Sequence, residues 1–348
     1  MKLNFWFNKK VFITGIEGFV GSNLAKSLIL KKAKVYGIRK DPKKESMLRF
    51  EKLDKKCKVY TGDINNKKLL KQIIEKNKIQ VCYHLAAQPE VGVANENPLS
   101  TWDSNIRGTY NLLEVLRENK KYIKSIIIAS SDKAYGNYPK KKLPYDEKYD
   151  LRPIYPYDVS KACADLISKS YASNVFNLPI VITRFSNIYG PGQLNFSAIF
   201  PDAIKSILTN KPFKPRSNGK DLRDYIFIKD IVDVYELISE NLFKNKGLKG
   251  EVFNAGNNKP ISVRDVLKII YNHKNKQKQY NRILKLMKNK KTIGEINFQS
   301  MNYKKLNKFF KWKPKYNIHS SLEETFAWYE KYINSKKVDN LKLIKNYD

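Results

Sequence analysis

Val11-Phe12-Ile13-Thr14-Gly15-Ile16-Glu17-Gly18-Phe19-Val20-Gly21 sets three glycines three apart, directly after an apolar β-branched run and directly before a helical pattern. Without a Cβ, Gly15 can make a tight strand-to-helix turn, Gly18 lets the backbone approach a pyrophosphate, and Gly21 lets the helix pack against the strand. The helix N-terminus then offers free N–H groups and the positive end of its dipole to phosphate. In a chain of 348 residues with 15 Gly, this spacing arises by chance only ~0.03 times. The stretch therefore predicts a phosphate cradle.

Outward from it, strands and helices alternate. Strands are expected at 10–14, 34–38, 58–61, 80–85, 125–130 and 179–185, and helices at 21–31, 67–76, 102–118 and 158–176. Such alternation implies a parallel sheet with right-handed crossovers. The fold class is α/β, a Rossmann-type doubly wound sheet of about seven strands. It is expected to fill residues 1–183, with 222–255 returning to it. A smaller C-terminal substrate-binding lobe would take 184–221 and 256–335, followed by a polar, frayed tail at 336–348. The Lys/Asn/Gln-rich stretch 272–291 reads as an exposed helix and loops.

Composition narrows the class. With 42% hydrophobic and 12% aromatic residues, the chain can bury a large core. No apolar run reaches the ~20 residues that span a bilayer, and no signal peptide precedes the first strand, so cytoplasm and no membrane are expected. Cys57, Cys82 and Cys163 have neither pairing spacing nor neighbouring His, which predicts no disulfide framework and no metal. The net charge of +34 comes from 57 Lys and only 10 Arg. Lys scattered along the whole chain reads as a solvated surface rather than a nucleic-acid interface, although its field should gather an anionic small substrate.

Several segments fall where a dinucleotide enzyme needs them, beyond the carboxyl ends of strands. Asp63, followed by Ile64, can meet an adenine amino group. In His84-Leu85-Ala86-Ala87-Gln88 the small residues let a cofactor pass, and His84 reads as a packed strand residue. Arg39 and Lys40 stand where an acidic residue would hold an NAD ribose, which favours a 2′-phosphate and NADP over NAD. A Tyr-x-x-x-Lys match carries little in a chain with 22 Tyr. Tyr157 to Lys161 differs because it opens a helix after a Pro-containing loop and follows a strand ending in Ser130-Ser131-Asp132-Lys133. On one helix face, Lys161 is expected to lower the Tyr157 pKa and make the phenol a general base.

Together these residues resemble the extended short-chain dehydrogenase/reductases that act on nucleotide sugars, the NAD(P)-dependent epimerase/dehydratase family. The resemblance continues through Arg184 to Gly192, Leu222 to Asp230, Val252 to Gly256 and Phe310 to Pro314. It implies that Gly15, Gly18, Phe19, Val20, Gly21, Arg39, Asp63, Ile64, Leu85, Ala86, Ala87, Gln88, Asn105, Tyr157 and Lys161 hold the cofactor. It also implies that Gln88, Ser131, Asn187, Arg216 and Arg223 hold a nucleotide-diphospho-sugar, and that two copies pair through a four-helix bundle.

Within the family, Ser131-Asp132-Lys133-Ala134-Tyr135-Gly136 is most similar to CDP-glucose 4,6-dehydratases, whereas the segments around Phe19 and Leu222 resemble epimerases and dehydratases generally. GDP- and dTDP-hexoses therefore stay open as substrates, as does a 4-epimerase or reductase on the same scaffold, with a non-catalytic nucleotide-binding protein as the remote alternative. Dehydration gives the pair a purpose. Once C4 is oxidised, loss of water across C5 and C6 needs a base at C5 and an acid at the C6 hydroxyl. Asp132, its pKa raised by burial, would be the acid, and Lys133 the base or organiser at C5.

Overall fold

The computed structural model describes residues 4–42, 45–288, 290 and 296–345. Strands β1 (Lys10–Thr14), β2 (Lys34–Arg39), β3 (Lys58–Thr61), β4 (Val81–His84), β5 (Ser125–Ala129) and β6 (Ile180–Phe185) follow in chain order. Next come the short β7 (Asn187–Tyr189), β8 (Leu222–Arg223) and β9 (Tyr225–Phe227), then β10 (Val252–Ala255) and β11 (Ile261–Ser262). Seven of them form one sheet in the order β10-β6-β5-β4-β1-β2-β3, with every neighbour parallel. Strand order reverses at β1, so β1 and β4 flank the crevice where open sheets of this kind bind ligands.

Period-two alternation explains the layers. In β1, Val11 and Ile13 face one core and Phe12 the other; in β5, Ile127 opposes Ile126 and Ile128 in the same way. The Phe12 side packs against Leu70, Ile73, Leu112 and Leu116, from helices Lys67–Asn77 and Gly108–Glu118. The Val11 side packs against Leu24 and Leu28 of helix Phe19–Leu30 and against Ile231 and Ile238 of helix Ile228–Lys244, and it runs on without a break into the C-terminal elements.

Three expectations are corrected. Of the strands in residues 222–255, only β10 joins the main sheet; β8 pairs antiparallel with β11 and β9 pairs parallel with β7, since β7 follows β6 and β9 follows β8 after a single residue. The helix expected at 102–118 is three pieces, Pro98–Trp102, a wider π turn at Asp103–Arg107, and Gly108–Glu118. Residues 336–345, expected to fray, continue helix Ile318–Lys345. Within 272–291, helix Gln277–Met287 forms, while residues 289 and 291 lie outside the described residues. Among the described residues no helix is long and apolar enough to cross a membrane, and no group of three His, Cys, Asp or Glu could hold a metal ion.

Candidate active site

The glycine turn is built of backbone in contact. Gly15 has φ +69°, and a Cβ there would lie 2.9 Å from the Ala86 backbone. A Cβ on Gly21 would lie 2.2 Å from the Gly15 carbonyl oxygen. Gly18 is the N-cap of helix Phe19–Leu30 and supplies no capping side chain. The first-turn amides are thus left to a ligand, an arrangement that fits a pyrophosphate.

Thr14, at the end of β1, organises the neighbouring strand end. Its hydroxyl oxygen accepts from the N–H groups of Leu85 and Ala86, each at 3.1 Å, and lies 2.8 Å from His84 Nδ1. His84 Nε2 lies 2.9 Å from the Thr109 hydroxyl, which itself donates to the Asn105 carbonyl at 2.6 Å. That chain of donors assigns the Nε2–H tautomer. Burial, reinforced by the nearby Lys161 charge, pushes the His84 pKa down to about 3, so this histidine is a neutral packed residue, as its segment predicts.

The π turn exists where Asn105 is needed. Its Oδ1 accepts from the Gln88 N–H at 2.7 Å, and its Nδ2 donates to the Gln88 carbonyl at 3.1 Å and the Ser160 hydroxyl at 2.9 Å. Asn105 therefore acts by pinning the Gln88 backbone to the helix that carries Tyr157. The Gln88 side chain closes on the Glu90 backbone instead of reaching outward.

At the ribose end, Arg39 is already engaged. Its Nη1 pairs with Glu17 at 3.1 Å and its Nε donates to the Thr61 hydroxyl at 3.2 Å. Lys40 pairs with Asp63 at 2.9 Å, and Asp63 also accepts from the Asn65 N–H at 2.8 Å. Burial raises the Glu17 pKa, against the opposing pull of Arg39. Nothing in the local sequence spacing revealed that a glycine-loop carboxylate meets the cation at the end of β2.

Beyond β4 and β5 opens a cleft of about 680 Å³. Phe19, Val20, Leu85 and Ala87 line it together with Ser131, Asp132, Lys133, Tyr157 and Lys161, and so do Asn187, Arg216 and Arg223. Ser131 caps a short turn, accepting from the Lys133 N–H at 3.2 Å, and its hydroxyl donates to Asp132 Oδ1 at 3.0 Å. Ser131 and Tyr157 line the cleft together. Burial raises the Asp132 pKa, opposed by the charges of Lys133 and Arg223.

The tyrosine departs from its expected behaviour. Burial first, then the charges of Asp132 and Asp158, hold the Tyr157 pKa well above the ordinary phenol range. Lys161 does not offset this, since its amine donates to the Ala129 carbonyl at 2.6 Å and burial lowers its own pKa to about 8. The i, i+4 spacing gave the shared face correctly but could not report depth.

Asn187 donates from Nδ2 to the Asp224 carbonyl at 3.2 Å, and Arg216 donates to the Ser197 carbonyl. Asp224, buried at the same turn, accepts the N–H groups of Asn257, Asn258 and Met301 at 3.0–3.1 Å. It thereby ties three loops of the lobe together. Gln299, which sequence reading passed over, donates from Nε2 to Asp132 Oδ2 at 3.0 Å.

A family model described as GDP-mannose 4,6 dehydratase matches residues 12–325. The chain is 35% identical over 289 residues to the dTDP-D-glucose 4,6-dehydratase of Dictyostelium discoideum, covering 76% of this chain and 62% of that one. It is 30% identical over 352 residues to the UDP-glucuronate 4-epimerase of Thermodesulfobacterium geofontis, covering 96% and 98%. Among solved structures, the dTDP-glucose 4,6-dehydratase of Bacillus anthracis in complex with NAD superposes with a TM-score of 0.77 at 26% identity, covering 93% of this chain and 97% of that one. With its parallel sheet, its glycine turn at the switch point and this cleft, the chain belongs to the GDP-mannose 4,6 dehydratase family, enzymes of NAD(P)-dependent nucleotide-sugar dehydration and epimerisation.

Proposed function

We propose that this protein is a nucleotide-sugar 4,6-dehydratase, converting an NDP-hexose to the NDP-4-keto-6-deoxyhexose, with CDP-glucose the favoured substrate ahead of GDP- and dTDP-hexoses. The observation that carries the reading is Asp132, a buried carboxyl with a raised pKa beside Ser131, Tyr157 and Lys133 in one cleft. A buried carboxyl placed to give up a proton is what departure of the C6 hydroxyl requires, and a 4-epimerase has no use for it. The epimerase reading is favoured by the similarity to UDP-glucuronate 4-epimerases.

A nicotinamide cofactor held at the glycine turn would supply a reversible acceptor for the hydride that leaves C4 and returns to C6. Ser131 would hold the 4-hydroxyl, and Tyr157 would take its proton as phenolate, a form that the positive charge of a bound nicotinamide must stabilise against the burial that raises its pKa. The new C4 carbonyl makes the C5 proton acidic, and Lys133 removes it. Asp132 gives its proton to the C6 hydroxyl, which leaves as water, and Lys133 then returns a proton to C5. The balance leaves one proton on Tyr157 and one missing from Asp132. Ser131, which donates to Asp132 Oδ1 and lines the cleft with Tyr157, would pass it across.

For the cofactor we propose NADP, with Arg39 meeting the 2′-phosphate and Glu17 holding the guanidinium in place. Residues 1–183 with the 222–255 segment would carry the cofactor, and 184–221 with 256–335 the nucleotide sugar. Helices Pro98–Trp102, Gly108–Glu118 and Pro156–Ala172 leave Leu99, Trp102, Tyr110 and Leu166 exposed. That pattern supports a homodimer through a four-helix bundle; a monomer in sedimentation at micromolar concentration would refute it. A cytoplasmic location completes the reading.

The test of function is incubation of purified protein with CDP-, GDP-, dTDP- and UDP-hexoses, read by mass. A product lighter by one water supports dehydration. An isomer of unchanged mass would replace it with epimerisation.

A further inference from the structure

Gln299 stands 167 residues from Asp132 in the chain, yet it is fixed beside it from both sides. Leu222 N–H donates to the Asn297 carbonyl and Gln299 N–H to the Leu222 carbonyl, each at 3.0 Å. Tyr145 N–H donates to the Ser300 carbonyl at 2.8 Å and Asn302 N–H to the Tyr145 carbonyl at 3.2 Å. Main-chain bonds therefore set the position of Gln299 without help from its side chain. The residue is fully buried, its Nε2 donates to Asp132 Oδ2, and its Oε1 is buried without a hydrogen-bond partner.

An unsatisfied buried carbonyl costs about 1–3 kcal/mol, and an aliphatic residue would avoid that cost. The amide has a property that no aliphatic side chain shares. A half turn about its last bond exchanges Nε2 and Oε1 with almost no change of shape, presenting an acceptor where a donor stood. Asp132 Oδ2 needs both partners in turn, a donor while ionised and an acceptor while protonated. The other groups acting on Asp132 cannot alternate in this way. Lys133 and Arg223 act on it through charge, the Tyr145 phenol donates to the Gly136 carbonyl, and the Ser131 hydroxyl serves Oδ1.

We propose that Gln299 is a positioning residue whose amide holds Asp132 in both protonation states, donating to the carboxylate and, after a half turn, accepting from the carboxylic acid until the C6 hydroxyl replaces the amide as acceptor and takes that proton. The inference rests on the dehydratase reading. It makes Gln299 the device that keeps the acid aimed while its proton is spent and regained.

Two variants test it. Gln299→Leu keeps the bulk and removes both polar atoms; kcat for dehydration should fall on the order of ten-fold or more with KM nearly unchanged, and reduced cofactor should accumulate in a single turnover. Gln299→Glu places two carboxyls in contact, which hold one proton between them only when the pH is low enough. Its kcat should therefore recover as pH falls from about 8 to 6, whereas that of Gln299→Leu should not. Wild-type kcat in both variants, or a pH response identical in the two, overturns the proposal while leaving the dehydratase reading intact. Wild-type protein that dehydrates no sugar in the panel overturns both.

Discussion

Replacing Asp132 with Asn separates oxidation from elimination. The side chain is 3% exposed and each of its oxygens has one partner at 3.0 Å, the Ser131 hydroxyl on Oδ1 and Gln299 Nε2 on Oδ2. In Asp132→Asn the Ser131 contact survives. The new Nδ2 would confront Gln299 Nε2 donor to donor, but a half turn of the Gln299 amide brings its unpartnered Oε1 to meet it. Both buried bonds are then kept, so stability should change by less than about 1 kcal/mol. The amide cannot release a carboxylic proton, and a positioned general acid is worth about 10²–10⁴-fold. The barrier to losing the C6 hydroxyl should thus rise by about 3–5 kcal/mol, while C4 oxidation by Tyr157 continues. Rapid mixing of the loaded variant with substrate should show the near-ultraviolet absorbance of reduced nicotinamide rising and persisting, with dehydrated product falling in step. Undiminished turnover would reduce Asp132 and Lys133 to an ion pair at a strand end. Lost turnover without accumulated reduced cofactor would place Asp132 in the oxidation step instead.

Other expectations follow from particular contacts. Arg39→Asp should shift binding from NADP towards NAD by about ten-fold, the worth of one charge-assisted contact near 1.4 kcal/mol; equal affinities by calorimetry before and after would remove Arg39 from the site. Arg184 and Asp165 form a two-bond ion pair at 2.7 and 2.9 Å with side chains 1% and 0% exposed. Arg184→Met leaves the buried carboxylate only the distant Lys169 amine at 3.9 Å and should cost about 3–5 kcal/mol in thermal or urea unfolding, with a loss under about 1 kcal/mol refuting the burial argument. Lys161 is ionised in the unfolded chain up to pH 10.5 but in the fold only to about 8. Below pH 8 the native state bears the full cost of a buried charge, and the cost fades as pH rises through that window. Wild-type stability should therefore gain on that of Lys161→Met by on the order of 3 kcal/mol between pH 8 and 10.5. A constant difference between the two melting curves would contradict this.

The fold was legible because its signals are local. Three glycines at fixed spacing and apolar runs of period two or 3.6 specify a strand, a turn and a helix within a dozen residues, and alternation of such units leaves few topologies. Side chains lining the cleft were equally legible, since Ser131 to Lys133 close one strand and Tyr157 to Lys161 open one helix. What escaped was set by depth or by distance along the chain. Helical spacing places Lys161 beside Tyr157, but only packing decides that the phenol is buried and that the amine turns to the Ala129 carbonyl. The Asp103–Arg107 π turn has no composition mark, because it forms to let Asn105 bond Gln88 and Ser160. Glu17 with Arg39, and Gln299 with Asp132, are pairings between segments 22 and 167 residues apart, which no local pattern encodes.

The central claim is that water is removed across C5 and C6. The most direct measurement is incubation of the enzyme with a nucleotide hexose in deuterium oxide, with the product read by mass spectrometry and proton NMR. Dehydration predicts a product lighter by one water, with a solvent deuterium at C5 and a new C6 methyl group carrying the hydrogen that began at C4. A product of unchanged mass, inverted at C4 and free of deuterium, would contradict the account.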